Sequence, residues 1–174
     1  MREELLQALK KPVAERKWVM VIDQQKCVGC NACTVSCCAE NNLPPGVVYR
    51  PVPKVQTGTF PNVSWVFTPR PCMHCDNPPC VPVCPTGASY KREEDGIVLV
   101  DEDRCRGYRF CMEACPYKKI YFNEVAKVAQ KCIFCFPRIE KQVSNACARQ
   151  CPGRVRFVGY RDDENAPIHK LVDR

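Results

Sequence analysis

Cysteine is the one residue type in this sequence that is both abundant and regularly spaced enough to carry chemistry. Sixteen of the 174 residues are cysteine, and fifteen of them fall into four groups. Group one is Cys27-x2-Cys30-x2-Cys33-x3-Cys37 and group two is Cys72-x2-Cys75-x4-Cys80-x3-Cys84. Group three is Cys105-x5-Cys111-x3-Cys115 and group four is Cys132-x2-Cys135-x11-Cys147-x3-Cys151. In group three, Tyr108 stands where a C-x2-C-x2-C-x3-C run would place a cysteine, and Cys38 belongs to no group. Pro85, Pro116 and Pro152 follow the last cysteines of groups two, three and four.

This spacing has a mechanical meaning. Three cysteines on a tight loop can reach three irons of one cubane, while the fourth, one helical turn on, points away and ligates the other cluster of a pair. Proline lacks an N–H and fixes its own φ, so it ends that turn and directs the chain onward. Zinc sites also use C-x2-C pairs, but a structural zinc takes four ligands from two pairs. The triplet of group one and the repeated x3-Cys are not zinc-finger spacing. A disulfide scaffold needs an oxidising compartment, and the N-terminus has no apolar h-region, small-residue cleavage site or twin arginine. A radical enzyme would need C-x3-C-x2-C, and the completing positions are Glu40, Gly87, Lys118 and Arg154.

Charge and length narrow the classes further. The formal net charge is +7, from 26 Lys and Arg against 19 Asp and Glu. Four oxidised clusters with their thiolates would contribute about −2 each, which nearly cancels this excess. The basic balance therefore reads as compensation for buried clusters, and no nucleic-acid-binding motif is present. The apolar runs at 18–22 and 64–67 are far too short to span a bilayer. The sequence predicts a soluble chain without a membrane span of its own.

The elements that must position these groups are short. Residues 3–11 read as an amphipathic helix with Leu5, Leu6 and Leu9 on one side, stopped by Pro12. A strand is expected at 18–22 and a helix at 31–40. The stretch 43–63 is rich in Pro and Gly and reads as an ordered loop, either a docking surface or a cover for a cluster. Residues 88–92 and 97–100 should form a hairpin around Glu93-Glu94-Asp95-Gly96. Further strands are expected at 120–122, 125–130 and 155–160. The repeated order of short strand, cluster loop and short helix suggests an α+β fold of ferredoxin-like modules.

The four groups together resemble the iron–sulfur (beta) subunits of molybdopterin oxidoreductases, the dimethyl sulfoxide reductase family. Cys72-Met-His-Cys-Asp-Asn-Pro-Pro-Cys80 followed by Cys84-Pro-Thr-Gly-Ala88 carries much of the likeness, which runs from about residue 18 to 171. Cys105-Arg-Gly-Tyr-Arg-Phe-Cys111 with Cys115-Pro-Tyr-Lys-Lys119 is similar to the nitrate, selenate and chlorate reductase and dimethylsulfide and ethylbenzene dehydrogenase branch.

The resemblance implies ligand sets. Cys27, Cys30, Cys33 and Cys151 would hold one four-iron cluster, and Cys37, Cys132, Cys135 and Cys147 a second. Cys72, Cys75, Cys80 and Cys115 would hold a third. Cys84, Cys105 and Cys111 would hold a three-iron cluster, with Tyr108 at the vacant corner. It further implies two bis-cluster modules, one inserted in the other: an outer module of residues 1–70 and 120–174, and an inner one of 71–119. The set with Cys27 would face a molybdopterin catalytic subunit, and the set with Cys84 a haem-binding or membrane quinone-linked subunit.

The function this implies is non-catalytic electron transfer within a membrane-associated or periplasmic prokaryotic complex. Two other readings compete: the electron subunit of a formate dehydrogenase or hydrogenase, where four complete groups are expected, and a freely diffusing polyferredoxin. Cys38 is expected to be a small buried apolar residue. His74 is expected to stand beside ligands rather than act as one, and Lys118 and Lys119 either tune nearby clusters or are solvated.

Overall fold

Aromatic and β-branched residues make WVMVI a strand former, and in the computed structural model it is β1 (Trp18–Ile22). The structure describes residues 17–160 together with Ile168 and Leu171; the helix expected over 3–11 lies outside them. β1 pairs antiparallel with β8 (Arg156–Tyr160), from Trp18 opposite Tyr160 to Ile22 opposite Arg156. Between them come α1 (Ala32–Glu40), β2 (Lys54–Thr59), β3 (Asn62–Phe67), β4 (Ser89–Lys91) and β5 (Val98–Val100). There follow α2 (Phe110–Ala114), β6 (Ile120–Asn123), β7 (Val128–Lys131), α3 (Phe136–Glu140) and α4 (Ala146–Arg149). The described strands form four two-stranded antiparallel sheets. This is an α+β arrangement of ferredoxin-like type.

The expected hairpin at 88–100 forms, with Ser89 opposite Val100 and Lys91 opposite Val98. Its turn is closed by Arg92 N–H donating to the Ile97 carbonyl and is eased by Gly96 at φ 73°. β6 and β7 pair as well, but Val125 lies in their turn rather than in a strand. The main departure is 43–63. Its second half is not loop: β2 and β3 form a hairpin, and β3 runs on to Phe67. The prolines and glycines there mask the strand preference of Val55, Thr57, Thr59, Val63 and Val66. The hairpin is exposed on both faces, so no alternation of apolar and polar residues marks it in the sequence.

The apolar core is thin and divided by the cysteines. One cluster joins Ile97 and Leu99 to Phe134, Ile139, Ala148 and Val158. A second joins Val98 to Ile120, Ala129 and three thiols, Cys80, Cys111 and Cys115. Successive strand residues point to opposite faces, so β5 and the residue before it supply both. Val98 faces one cluster, while Ile97 and Leu99 face the other. The packing therefore does not change at residue 119: Ile120 and Ala129, from the β6–β7 hairpin, pack among thiols of groups two and three.

A shared strand should make the two halves fail together. Ile97, 2% exposed, should cost about 2–5 kcal/mol when replaced by alanine. Anaerobic thermal unfolding of Ile97→Ala should show one transition at lower temperature, and Val125→Ala, at an 87% exposed position, should leave it unmoved.

Candidate metal centres

The four cysteine loops share one backbone device. The residue before the second position of each triplet has positive φ: Gly29 at 65°, His74 at 44°, Gly107 at 71° and Phe134 at 55°. A residue of positive φ beside right-handed ones can turn successive amide N–H groups to one side as a nest for anionic sulfur; in group four Cys135, at 52°, continues the left-handed backbone. Groups one and three repeat the device further: Asn31 at 58° follows Cys30, and Arg109 at 64° follows Tyr108. Tyr108 thus occupies in backbone terms the place that Cys30 holds. Glycine is required twice. A Cβ on Gly29 would lie 2.2 Å from the Phe67 ring, and one on Gly107 would lie 2.9 Å from the Lys127 carbonyl.

Tertiary folding gathers the thiols into four sets. Cys27, Cys30, Cys33 and Cys151 line one cavity with Gly29, Pro152 and Arg156. Cys72, Cys75, Cys80 and Cys115 line another with Pro116 and Lys131. Cys37, Cys132, Cys135 and Cys147 are all buried and lie within electrostatic reach of one another. Cys84 and Cys105 surround Cys111 in the same way, with Cys80 of the neighbouring set close by. Among the described residues, no three His, Cys, Asp or Glu side chains converge on a point suited to a single metal ion.

The donor chemistry fits iron–sulfur clusters. Burial first, and then neighbouring thiols, push Cys135 up to about 12 and Cys111 up to about 11. The same two causes raise Cys37 strongly. Such thiols ionise only when a cationic guest balances them. Around them stand N–H donors at cluster-like geometry. Ser89 N–H donates to Cys84 at 3.5 Å, Ala129 N–H to Cys105 at 3.4 Å, and Lys119 N–H to Cys115 at 3.4 Å. Asn41 Nδ2 donates to Cys37 Sγ at 3.5 Å. Burial raises the Cys84 thiol, but the hydrogen bonds from Ser89 and Thr86 outweigh it and leave it lowered.

Three buried cations, which no motif marks in the sequence, lie among these sets. Arg156 donates from Nη2 to Cys33 Sγ at 3.1 Å. Arg50 donates from Nη2 to Met20 Sδ at 3.3 Å and is within electrostatic reach of Cys147, Cys132, Cys37 and Cys33. Lys131 donates from Nζ to the Val98 and Cys132 carbonyls and lies 3.8 Å from Cys72 Sγ. The alternation of β8, with Arg156, Val158 and Tyr160 turned inward, was the available signal for Arg156. Lys131 shares its strand face with buried Ala129.

The remaining singled-out residues are placed as follows. Tyr108 is 58% exposed and its ring stacks on Phe110, centroids 6.1 Å apart. The ring therefore lies over the surface rather than filling a sealed corner. Cys38 is half-buried rather than buried and lines neither thiol cavity. His74 accepts a hydrogen bond at Nδ1 from Val98 N–H, 3.1 Å away, so its proton is on Nε2. Burial, Lys131 and Arg50 hold its pKa well below the ordinary value, so the ring is neutral. Lys118 is an exposed partner of Glu113 at 3.2 Å, whereas Lys119 is buried at the third set's cavity.

These sites are those of a dicluster protein, and comparison with known proteins agrees. Residues 26–88 and 63–161 each match a family described as 4Fe-4S dicluster domain. The chain is 43% identical to the B subunit of the selenate reductase of Mesobacillus selenatarsenatis, over 99% of this chain and 70% of that one. It is 61% identical to the beta subunit of the dimethylsulfide dehydrogenase of Rhodovulum sulfidophilum, over 67% of this chain and 36% of that one. It is 44% identical to the B subunit of the tetrathionate reductase of Salmonella typhimurium, over 90% of this chain and 63% of that one. The chain spans only about a third of the length of several such relatives. It belongs to the family of iron–sulfur beta subunits of molybdopterin oxidoreductases.

The register of group one can be checked directly. Cys37→Ala should lower iron and sulfide by one cluster or convert that cluster, whereas Cys38→Ala should leave both analyses and the visible spectrum unchanged. Equal damage from the two substitutions would put the wrong cysteine in the second set.

Proposed function

We propose that this chain is the electron-transfer subunit of a molybdopterin oxidoreductase complex and holds three 4Fe-4S clusters and one 3Fe-4S cluster. The observation that carries the reading is the gathering of fifteen cysteines into four adjacent sets. A bound iron–sulfur cluster takes up and returns one electron at a time. The residues would hold each cluster by thiolate, the second set fully buried and Cys30 of the first exposed, and they stand the sets in contact. Cys33 and Cys147 share Arg50, Cys132 and Cys72 share Lys131, and Cys80 adjoins Cys111. That gives an order of first, second, third and fourth set.

The exchange of end cysteines supports the two-module organisation. Cys37 and Cys151 cross between sets one and two, while Cys84 and Cys115 cross between sets three and four. The β1–β8 pairing joins the flanks of the outer module, 1–70 and 120–174, around the inner 71–119. The β6–β7 hairpin then bridges the two.

Exposed apolar residues lie at both ends of the order. Val28 and Val35 stand by the first set, next to the hairpin bearing Val55, Phe60 and Trp65. That hairpin meets the first loop where Phe67 packs on Gly29. This favours docking of the molybdopterin catalytic subunit there. Tyr108, Phe110 and Val83 are exposed by the fourth set, which favours a haem-binding or membrane quinone-linked subunit at that end. Among the described residues, no helix is long and apolar enough to cross a membrane; the reading places the chain in a membrane-associated or periplasmic complex. The chain's own role is non-catalytic, and the purified lone subunit should show no substrate-dependent dye oxidation.

The three-iron assignment rests on the missing thiol at position 108 and on the repeated loop backbone that puts Tyr108 in its place. Anaerobic analysis should find about 15 irons per chain, four from each of three clusters and three from the last. The oxidised protein should show a single three-iron EPR signal. Tyr108→Cys should convert it toward a four-iron cluster of lower potential. An EPR-silent oxidised protein with four full cubanes would overturn the assignment, and zinc without sulfide would overturn the whole reading.

A further inference from the structure

Burying a guanidinium without an anionic partner is among the costliest things a fold can do. Arg50 and Arg156 are each only 2% exposed, as is Lys131. No carboxylate pairs with any of them among the described residues. Arg50 Nε and Nη1 and Arg156 Nε and Nη1 are buried and have no hydrogen-bond acceptor. A guanidinium has five N–H donors; Arg156 gives one to the Cys33 thiol and Arg50 gives one to the Met20 thioether. Arg156 lines the first set's cavity and Lys131 the third's, while Arg50 lies between sets one and two.

We propose that Arg156, Arg50 and Lys131 are built-in counter-charges of the first three thiol sets and raise the reduction potentials of the clusters those sets hold. This rests on the cluster reading above. Reduction adds one electron from the partner subunit and one negative charge to a cluster with its thiolates. No bond forms or breaks and no proton moves. A fixed cation beside the sulfurs favours the reduced state, and N–H donors to those sulfurs do the same. Among the described residues the fourth set has no equivalent: its thiols receive the Ser89, Thr86, Ala88 and Ala129 amides and touch the Thr86 hydroxyl, and no Lys or Arg side chain hydrogen-bonds to them. The three residues therefore act on three sets and spare one, a pattern that a general role in folding would not produce.

The test is an EPR-monitored anaerobic redox titration of the whole complex carrying Arg50→Met, Arg50→Lys or Lys131→Met. Arg50→Met should make reduction of the first- and second-set clusters at least about tenfold less favourable, roughly 59 mV for one electron. The fourth should not move. Lys131→Met should do the same to the second and third, and Arg50→Lys should retain most of the wild-type potentials. Iron and sulfide per chain, measured alongside, test the ligand sets separately: a wild type without sulfide defeats the cluster reading itself. Loss of iron from Arg50→Met but not from Arg50→Lys also supports the counter-charge, because both side chains fill similar space. Unchanged potentials at full iron overturn the proposal, as does an equal shift of all four clusters. Iron loss from all three variants assigns these residues a structural role and overturns it too.

Discussion

The structure depends on balancing charge where water is absent. Fifteen thiols must sit close together inside a chain of 174 residues, and the space they enclose is taken from the apolar core. Cys80, Cys111 and Cys115 are members of one core cluster, and Cys37 and Cys132 of another. Burial and neighbouring thiols raise Cys37, Cys111 and Cys135, so these groups carry negative charge only against a cationic guest.

Two devices make that balance local. The first is backbone: a residue of positive φ precedes the second position of each cysteine loop, a conformation that can form an amide nest. The cost is borne by glycine at 29 and 107, where a side chain would also collide, and by His74 and Phe134, which are uncommon at positive φ. The second is side-chain cation. Arg156 and Lys131 reach the interior because strand alternation turns every second residue inward, and Arg50 reaches it from the loop after α1, where Thr34 Oγ1 donates to its carbonyl at 2.7 Å.

The same alternation joins the two halves. Ile97, Val98 and Leu99 lie on a three-residue run, yet they serve two clusters on opposite faces. His74 is held by Val98 N–H and meets Phe134 edge-on at 5.4 Å, so the third set's loop is tied to the second set's loop through one neutral ring. Rigid links of this kind keep neighbouring thiol sets at constant separation, which electron transfer between them requires.

The sequence by itself determined the chemistry: the four groups, the Tyr108 substitution, the orphan Cys38, the separate strands at 18–22 and 155–160 and the hairpin at 88–100. Ligand spacing is local and survives in one dimension because a tight loop and one helical turn fix how far successive thiols can stand apart. The β2–β3 hairpin escaped because it buries neither face, so propensity had no periodic pattern behind it. The positions of the Tyr108 ring, of Cys38, and of Arg50, Arg156 and Lys131 among the thiols were decided only in three dimensions. Arginine and lysine are ordinarily surface residues, and nothing adjacent in the chain shows that Cys33 and Cys72 will be brought against them. Whether a charge is solvated or buried depends on contacts between residues far apart in sequence, such as the 123 positions separating Arg156 from Cys33, and only the folded chain supplies those.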